Sequence, residues 1–456
     1  MHGERTHLRR SNECIAARSR GDAPTFLTIL TIAHDKRGHN MTSYPYRTYA
    51  EIDLNKLQHN LQQVRAFVGP DCRLLFVVKA DAYGHGAPMC AKYSEPYVDW
   101  YATATIEEAV AVRCAGVKKP ILLFGVLQDH EVVPAAENQI TASIGSVADA
   151  ERVAQILRQY GLQMDCHIEF NTGMNRTGLF TRTDSLECAV AEARRIYSLP
   201  EFHVTGCYTH FSCGDSENPE DIAYTNRQYS AFHQVLERLE RSGLSTGLRH
   251  CVSTGPLLLH PDWKMDMVRV GMLGYGFSVS AEAADRMGLH PIMRWCAKIV
   301  SVMELDKNES ISYARLYQTA GREKIAVISA GYADGYSRCF SNRAPILLHD
   351  QLVTECGKIC MDFSMANVTN VPDVVPGDEA ILLGEGTDRS VRADQLSALI
   401  PYGVNGWTTC QISDRVPRIY IYDGKVVTIR MRYALNTAEN GIEQSDGSEL
   451  HGQLYR

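Results

Sequence analysis

The feature that most limits the fold is a regular alternation of short apolar runs with amphipathic segments between residues 48 and 271. Continuous apolar runs are typical of buried parallel strands, which need long connections that usually contain a helix. About eight such alternations predict an α/β fold, a (β/α)8 barrel of the TIM type. Strands are predicted at 49–54, 74–78, 100–104, 120–124, 140–144, 164–170, 203–211, 250–254 and 267–271.

The pattern changes after residue 285 and becomes mainly β. Only 392–400 and 404–412 have helical character there, whereas strands are predicted at 293–305, 310–313, 324–329, 345–348, 352–354 and 379–383. We therefore divide the chain into four parts. Residues 1–47 are a disordered or non-native N-terminal extension, with Met41 as an alternative start; 48–285 form the barrel; 286–432 form a mainly β C-terminal domain; and 433–456 are a disordered tail.

Composition excludes several functional classes. The chain is 45% hydrophobic and 22% charged, which is ordinary for a soluble enzyme, and its net charge of −7 provides no basic field for nucleic acid. No apolar run reaches the length of a membrane span. The 14 cysteines lack paired spacing, so neither a disulfide framework nor a metal site is predicted. The apolar segment Thr25–Ala33 is too short and too rich in threonine for an export signal, and we expect a cytoplasmic protein.

One lysine follows an apolar strand, within the sequence Val-Val-Lys-Ala-Asp-Ala-Tyr-Gly-His-Gly from Val77 to Gly86. Burial disfavours the charged form of Lys79 and lowers its pKa, which favours a role as nucleophile or base. The alternative is a lysine that extends its amine to solvent at the strand end. Barrel enzymes carry their chemistry at the carboxyl ends of strands. The residues predicted at those ends are Lys79, Arg176, His210, Thr254 and Arg269.

This lysine segment resembles the cofactor segment of the alanine racemase family. The members of that family are fold-type III pyridoxal-phosphate enzymes. The resemblance implies that Lys79 binds pyridoxal 5'-phosphate covalently and that Tyr83 contacts its phosphate. Further similar segments follow in the family's order at Asn171–Arg176, Thr209–Phe211, His250–Gly255 and Met267–Met272.

The resemblance also implies roles for residues within those barrel segments. Arg176 contacts the cofactor phenolate and the substrate carboxylate, which suits a planar guanidinium. Arg269 faces the pyridine nitrogen and keeps it unprotonated, because arginine does not give up its proton. The implied phosphate ligands are Thr254, Gly271 and Met272, and the implied members of a hydrogen-bond chain are His210 and His250.

In the second domain, the segments Ile311–Tyr313, Gly331–Arg338, Gly357–Asp362 and Arg415–Arg418 resemble the family in turn. Tyr313 is implied as a second acid/base that comes from the partner subunit of a homodimer. The Met361 amide is implied near the substrate carboxylate. Supporting positions are Glu169, His250, Tyr332, Arg338 and Asp362.

The resemblance implies an isomerase that interconverts L- and D-alanine by a two-base mechanism, with Lys79 and Tyr313 as the bases, and that supplies D-alanine for peptidoglycan. Three alternatives stay open. The first is a racemase of serine or of several amino acids, the second is a non-catalytic pyridoxal-phosphate-binding regulatory protein, and the third is a fold-type III decarboxylase.

The sequence departs from the family at three positions. Glu169 stands where many members carry a carbamylated lysine, and we expect it to contact Arg176 directly. Ser253-Thr254 replaces an Asn-Ser pair but keeps the hydroxyl. Gly406 replaces a tyrosine near the phosphate, which predicts open space beside the substrate unless Tyr402 or Trp407 fills it.

Overall fold

The computed structural model describes residues 44–182, 184–278, 281–403 and 405–431. Most of the predicted extension and all of the predicted tail lie outside these ranges. Residues 44–47 are described and belong to the folded part. Tyr44 packs edge-on against Tyr49 with ring centroids 4.9 Å apart, and Arg47 forms an ion pair with the buried Asp334. The described part of the fold therefore includes residues on the N-terminal side of the predicted boundary at 47/48.

The predicted (β/α)8 barrel is confirmed. Eight parallel strands follow one another in the order β10-β2-β3-β4-β5-β6-β8-β9, and the short β7 pairs with β6. Backbone hydrogen bonds from Asp266 N to Arg249 O and from Arg269 N to Val252 O, both 3.1 Å, join the two ends of this sheet, so the barrel is nearly closed. The strands are β1 (Thr48–Asp53), β2 (Arg73–Val77), β3 (Trp100–Thr103), β4 (Ile121–Leu123), β5 (Ile140–Ile144), β6 (Met164–Asn171), β7 (Leu179–Phe180), β8 (Phe202–Tyr208), β9 (Leu248–His250) and β10 (Met267–Val270).

Local capping interactions begin several of the helices that alternate with these strands. Thr105 and Glu108 form a capping box at the start of the helix Ile106–Cys114. Asp53 caps the first helix, and its carboxylate accepts a hydrogen bond from the Asn55 backbone N–H at 2.9 Å. The helices of this region are Leu54–Val68, Ala87–Ser94, Ile106–Cys114, Val132–Glu137, Val147–Tyr160, Leu186–Tyr197, Pro219–Arg241, Thr254–Leu259 and Ala281–Arg286.

The second part of the chain is mainly β, as predicted. Its large sheet has the order β16-β15-β18-β11-β1-β20-β21, with β14 on β11 and β17 on β14. The strands are β11 (Met293–Leu305), β12 (Ser310–Ile311), β13 (Tyr317–Gln318), β14 (Glu323–Ile328), β15 (Pro345–Leu348), β16 (Gln351–Thr354), β17 (Ser364–Asn367), β18 (Glu379–Glu385), β19 (Ser390–Val391), β20 (Arg418–Tyr422) and β21 (Lys425–Arg430), and the helices are Ala393–Ser397 and Asn405–Cys410.

Strand β1 differs from the prediction, which placed it in the barrel. It pairs antiparallel with β11 and parallel with β20, so that Ala50 lies between Trp295 and Arg418. The apolar side chains of β1, including Tyr49 and Ile52, are fully buried. The spacing of apolar residues along a strand predicts that it is buried but does not specify which strands will pair with it. One apolar core is continuous from the barrel into this sheet as a result.

Three further observations concern classes of function. None of the helices in the described ranges combines the length and the apolar character that a bilayer crossing requires. In the same ranges, no three His, Cys, Asp or Glu side chains are grouped as a metal site. The 13 described cysteines are free thiols.

A buried carboxyl in the second domain leads to a pH prediction. Glu355 is 1% exposed and its Oε1 has no hydrogen-bond partner among the described residues. Burial raises the pKa of this carboxyl to about 8. At pH values between 4.5, the pKa of this carboxyl in the unfolded chain, and about 8, its pKa in the folded protein, the Glu355 carboxyl is ionised mainly in the unfolded chain. The free energy of unfolding therefore falls as pH rises through this range. The group contributes a slope of up to about 1.4 kcal/mol per pH unit.

Glu355→Gln should remove this contribution, which urea unfolding at about pH 5, 6.5 and 8 measures. The matched control is Glu323→Gln, because Glu323 is also buried but its carboxylate accepts hydrogen bonds from Tyr317 (2.7 Å) and Asn367 (2.9 Å). An unchanged pH slope in Glu355→Gln would contradict the prediction.

Candidate active site

Lys79 lies at the carboxyl end of barrel strand β2, one residue beyond Val78. The side chain is half-buried. Burial lowers the pKa of its amine, and the Arg176 guanidinium lowers it further, with Arg269 also contributing. The neutral amine, which is the nucleophilic and basic form, is therefore favoured relative to an exposed lysine.

The four residues after Lys79 form a left-handed turn. Ala80, Asp81, Ala82 and Tyr83 have φ values of 50°, 53°, 55° and 53°. Left-handed helical backbone costs roughly 1–2 kcal/mol per residue for L-amino acids other than glycine. Local hydrogen bonds compensate part of this cost, among them Ala82 N to Val78 O at 2.8 Å. A strained backbone of this kind is typical of functional sites.

The Tyr83 ring lies between two glycines. A Cβ on Gly406 would be 2.7 Å from Tyr83 Cδ1, and a Cβ on Gly271 would be 2.8 Å from the Tyr83 hydroxyl. Burial raises the pKa of Tyr83 to about 12, so the hydroxyl stays a proton donor. The Tyr402 side chain is 99% exposed and Trp407 is 37% exposed. The predicted space beside Gly406 is therefore occupied by Tyr83 itself.

Arg269, on strand β10, is 4% exposed and donates to groups at the ends of neighbouring strands. Its Nη1 donates to His250 Nδ1 (2.9 Å) and to the His250 carbonyl (3.0 Å). Its Nη2 donates to the carbonyls of Thr209 (2.9 Å) and Cys251 (3.1 Å) and to His210 Nδ1 (3.1 Å). Among the described residues, no hydrogen bond uses its Nε. That N–H is the donor left for a ligand.

A third histidine, His167 on β6, extends this chain and was not singled out in the sequence. His250 Nε2 lies 2.9 Å from His167 Nδ1. Because the Arg269 guanidinium only donates, His250 accepts at Nδ1 and carries its proton on Nε2, which it donates to His167. Burial and the Arg269 charge lower the pKa of His167 and of His210 to about 3, and they also lower the pKa of His250. All three imidazoles are neutral at physiological pH.

The expected contact between Glu169 and Arg176 does not form. Glu169 is 5% exposed inside the barrel, whereas Arg176 is exposed on the loop after β6, and within the described residues no ion pair joins them. The Asn171 side chain shapes this loop, since its Oδ1 accepts from the backbone N–H groups of Gly173 (3.1 Å) and Asn175 (2.9 Å). The prediction of a direct pair was wrong because the turn of the loop could not be inferred from the motif.

The predicted phosphate ligands follow the last two barrel strands. Thr254, 5% exposed, begins the helix Thr254–Leu259. The predicted strand at 250–254 thus ends early, at His250. Gly271 and Met272 follow β10 directly, and Gly271 lies beside the Tyr83 hydroxyl.

The predicted residues of the second domain form a separate, exposed cluster. Tyr313 is 65% exposed, Met361 53% and Tyr332 40%. Their segments are in contact, because the Ser312 hydroxyl donates to the Lys358 carbonyl and the Tyr332 N–H donates to the Cys360 carbonyl at 3.0 Å. In the part of the chain that the structure describes, no hydrogen bond or ion pair joins Tyr313, Tyr332 or Met361 to the barrel side chains named above.

Arg338 and Asp362 flank this cluster. The Arg338 guanidinium lies 5.7 Å from the centroid of the Tyr332 ring, and Asp362 forms an ion pair with Arg415 at 2.7 Å. The structure therefore groups the predicted residues into two sets, one at the mouth of the barrel and one on the second domain.

Comparison with known proteins identifies the family. The family model described as "Alanine racemase, N-terminal domain" matches residues 52–279, and "Alanine racemase, C-terminal domain" matches 292–420. The alanine racemase of Desulfovibrio desulfuricans is 33% identical over 382 residues, which are 84% of this chain and all of that protein. The chain belongs to the alanine racemase family. It is accordingly an enzyme of the isomerase class.

Solved structures of alanine racemases agree with this family membership. That of Clostridium difficile 630 is 31% identical and has a TM-score of 0.78, with 85% of this chain and 99% of that chain covered. The alanine racemase of Bacillus anthracis with bound L-Ala-P is 27% identical with a TM-score of 0.77, and the match covers 87% of this chain and 99% of that one.

The packing of Tyr83 on Gly406 predicts that this racemase-family chain does not tolerate a side chain there. Gly406→Ala forces the Tyr83 ring to move, and overpacking of this kind typically costs about 1–3 kcal/mol. Urea unfolding of the two proteins measures the loss. The control is Gly321→Ala, where a Cβ meets nothing within 4 Å and the change should stay within about 0.5 kcal/mol. Equal effects of the two substitutions would refute the packing argument.

Proposed function

We propose that the protein is a pyridoxal-phosphate-dependent racemase that interconverts L- and D-alanine. The observation that carries the proposal is the Lys79 amine at the carboxyl end of a barrel strand, with a pKa lowered by burial and by the Arg176 guanidinium, in a chain of the alanine racemase family. A neutral amine is required both to bind an aldehyde and to accept a proton from carbon.

The residues present fit pyridoxal phosphate. Lys79 supplies the amine for the aldehyde, and the Arg269 Nε–H remains as a donor for the ring nitrogen. The Tyr83 hydroxyl beside Gly271, with the buried Thr254 hydroxyl, supplies donors for a phosphate. When bound, this cofactor acidifies the α-proton of the amino acid.

The chain's own residues would move that proton on two faces of the α-carbon. We propose Lys79 for the D-side proton and Tyr313 for the L-side proton. Arg176 and the Met361 amide would bind the substrate carboxylate, and Tyr332 and Arg338 would line the entrance with Asp362 in support. The neutral histidine chain, in which His250 and His210 flank Arg269, would keep that guanidinium in a fixed position.

We further propose a cytoplasmic homodimer with shared sites. Tyr313 lies on an exposed apolar patch with Leu316 (52% exposed), Met361 and Phe363 (44%), and such patches are typical of protein interfaces. A second copy is the source of the barrel groups that Tyr313 does not reach within its own chain. The D-alanine product would supply peptidoglycan synthesis.

The first test of the function is direct. Purified protein with added pyridoxal phosphate is incubated separately with L-alanine and L-serine, and the D-products are measured by chiral chromatography. D-alanine is the expected product, and Lys79→Ala and Tyr313→Phe should lower its rate by about 10²-fold or more.

Other outcomes distinguish the alternatives. D-serine or a range of D-amino acids would favour a racemase of serine or of broad specificity. Release of carbon dioxide would favour a decarboxylase. Binding of the cofactor without any turnover would favour a regulatory protein.

The shared site has its own prediction. Lys79→Ala and Tyr313→Phe are each inactive, but mixing the two, with dissociation and reassociation, should restore activity. With random pairing, half of the dimers are mixed and one of their two sites carries both native side chains, so activity should approach about one quarter of wild type. Mixing two samples of one variant is the control. Failure to recover activity, in dimers shown to have exchanged, would exclude a site shared in this way.

A further inference from the structure

We propose that Asp81 and Arg430 are positioning residues for Lys79: the ion pair from the last described strand of the second sheet holds the left-handed turn that sets the direction of the lysine side chain. The inference rests on the proposed function in taking Lys79 as the reacting amine. The inference goes beyond that function because it assigns the second domain a role in positioning Lys79, which lies on the barrel of the same chain.

The turn needs a restraint from outside. Four consecutive non-glycine residues, Ala80 to Tyr83, have φ between 50° and 55°. Residues other than glycine usually adopt the left-handed conformation one at a time. Several such residues in succession persist only where contacts with the surrounding structure hold them. The backbone hydrogen bonds within the turn do not by themselves select the left-handed form, because a right-handed turn of the same length can also form hydrogen bonds of this kind.

Within the turn, the Asp81 carboxylate forms side-chain hydrogen bonds to other segments. Its Oδ1 accepts from the Ala87 N–H (2.9 Å) and from Arg430 Nη1 (2.8 Å), and its Oδ2 pairs with Arg430 Nη2. Its backbone N–H donates to Glu108 Oε1 at 3.3 Å. A bidentate guanidinium–carboxylate pair fixes orientation as well as distance. Burial lowers the pKa of Arg430, but the hydrogen bond to Asp81 and the charges of the acidic groups around it, Asp81 among them, together raise it above its usual value.

The second domain also contacts the residues that end the turn. Arg418 on β20 donates from Nε to the Gly84 carbonyl at 3.0 Å. Gly84 has φ of +82°, and a Cβ there would clash with the Thr409 carbonyl, while a Cβ on Gly86 would clash with the Tyr420 hydroxyl. Strands β20 and β21 and the helix Asn405–Cys410 therefore form the wall against which the turn packs.

Arg430 lies outside the part of the chain that the family match covers, since that match ends at residue 420. Two observations together support a role for Arg430. The strain in the turn requires an external restraint, and the bidentate pair with Asp81 supplies it. The groups that act electrostatically on the Lys79 amine itself are Arg176, Glu108, Cys410 and Arg269, and Arg430 is not among the leading ones, so its effect on Lys79 is one of position.

The test compares Arg430→Met with wild type in the full-length protein. The first readout is the pH midpoint for acylation of Lys79, quantified by mass spectrometry of its peptide without added cofactor. When the turn relaxes, the amine gains water and its midpoint should rise by about one pH unit. The second readout is the affinity for pyridoxal phosphate, which should fall roughly tenfold or more, as expected for a lost hydrogen bond between charged groups. Asp81→Asn should give both effects, and Arg430→Lys should recover part of each.

The matched control is Lys56→Met, which removes another ion pair between the barrel's first helix and the second sheet, with Glu385 at 2.6 Å. It should leave both readouts unchanged. Unchanged readouts in Arg430→Met, or equal shifts in Lys56→Met, would overturn the proposal. If wild type does not bind pyridoxal phosphate but the midpoint still shifts in Arg430→Met, the proposed function fails and the positioning role stands.

Discussion

A guanidinium buried at the mouth of the barrel is the interaction on which the arrangement of the site depends. Burying a charge is costly unless polar groups surround it, and Arg269 finds three carbonyls and two imidazoles from the ends of two neighbouring strands. The same cation determines which nitrogen of His250 and His210 carries a proton. One charge therefore fixes both the geometry of the strand ends and the protonation of the histidines around it.

The lysine that carries the proposed chemistry depends on a second constraint of another kind. Its turn is left-handed, and Arg418 and Arg430 of the second domain contact it in addition to groups of the barrel. Strand β1 contributes to the same arrangement, because it leaves the barrel's sheet and pairs with β20. The two domains are thus joined where the site is built, and the barrel does not position Lys79 on its own.

Local patterns predicted local structure well. The barrel was predicted from the repeated strand and helix periods, and the mainly β second domain from the change in those periods after residue 285. The errors arose where a residue's partner is distant in sequence. Glu169 was expected to meet Arg176 because it stands where many family members carry a carbamylated lysine, but a loop turns Arg176 outward. His167 was missed because its partner is 83 residues away.

The sequence by itself determined the fold class, the family and the set of side chains available for chemistry, because periodicity and motif order are properties of the chain read in one dimension. Only the tertiary structure decided which of these groups meet. It placed β1 in the second sheet, put Tyr83 in the space beside Gly406 and brought Arg430 to Asp81 across 349 residues. Such choices depend on the packing and charge of residues remote in sequence, and no local pattern encodes them.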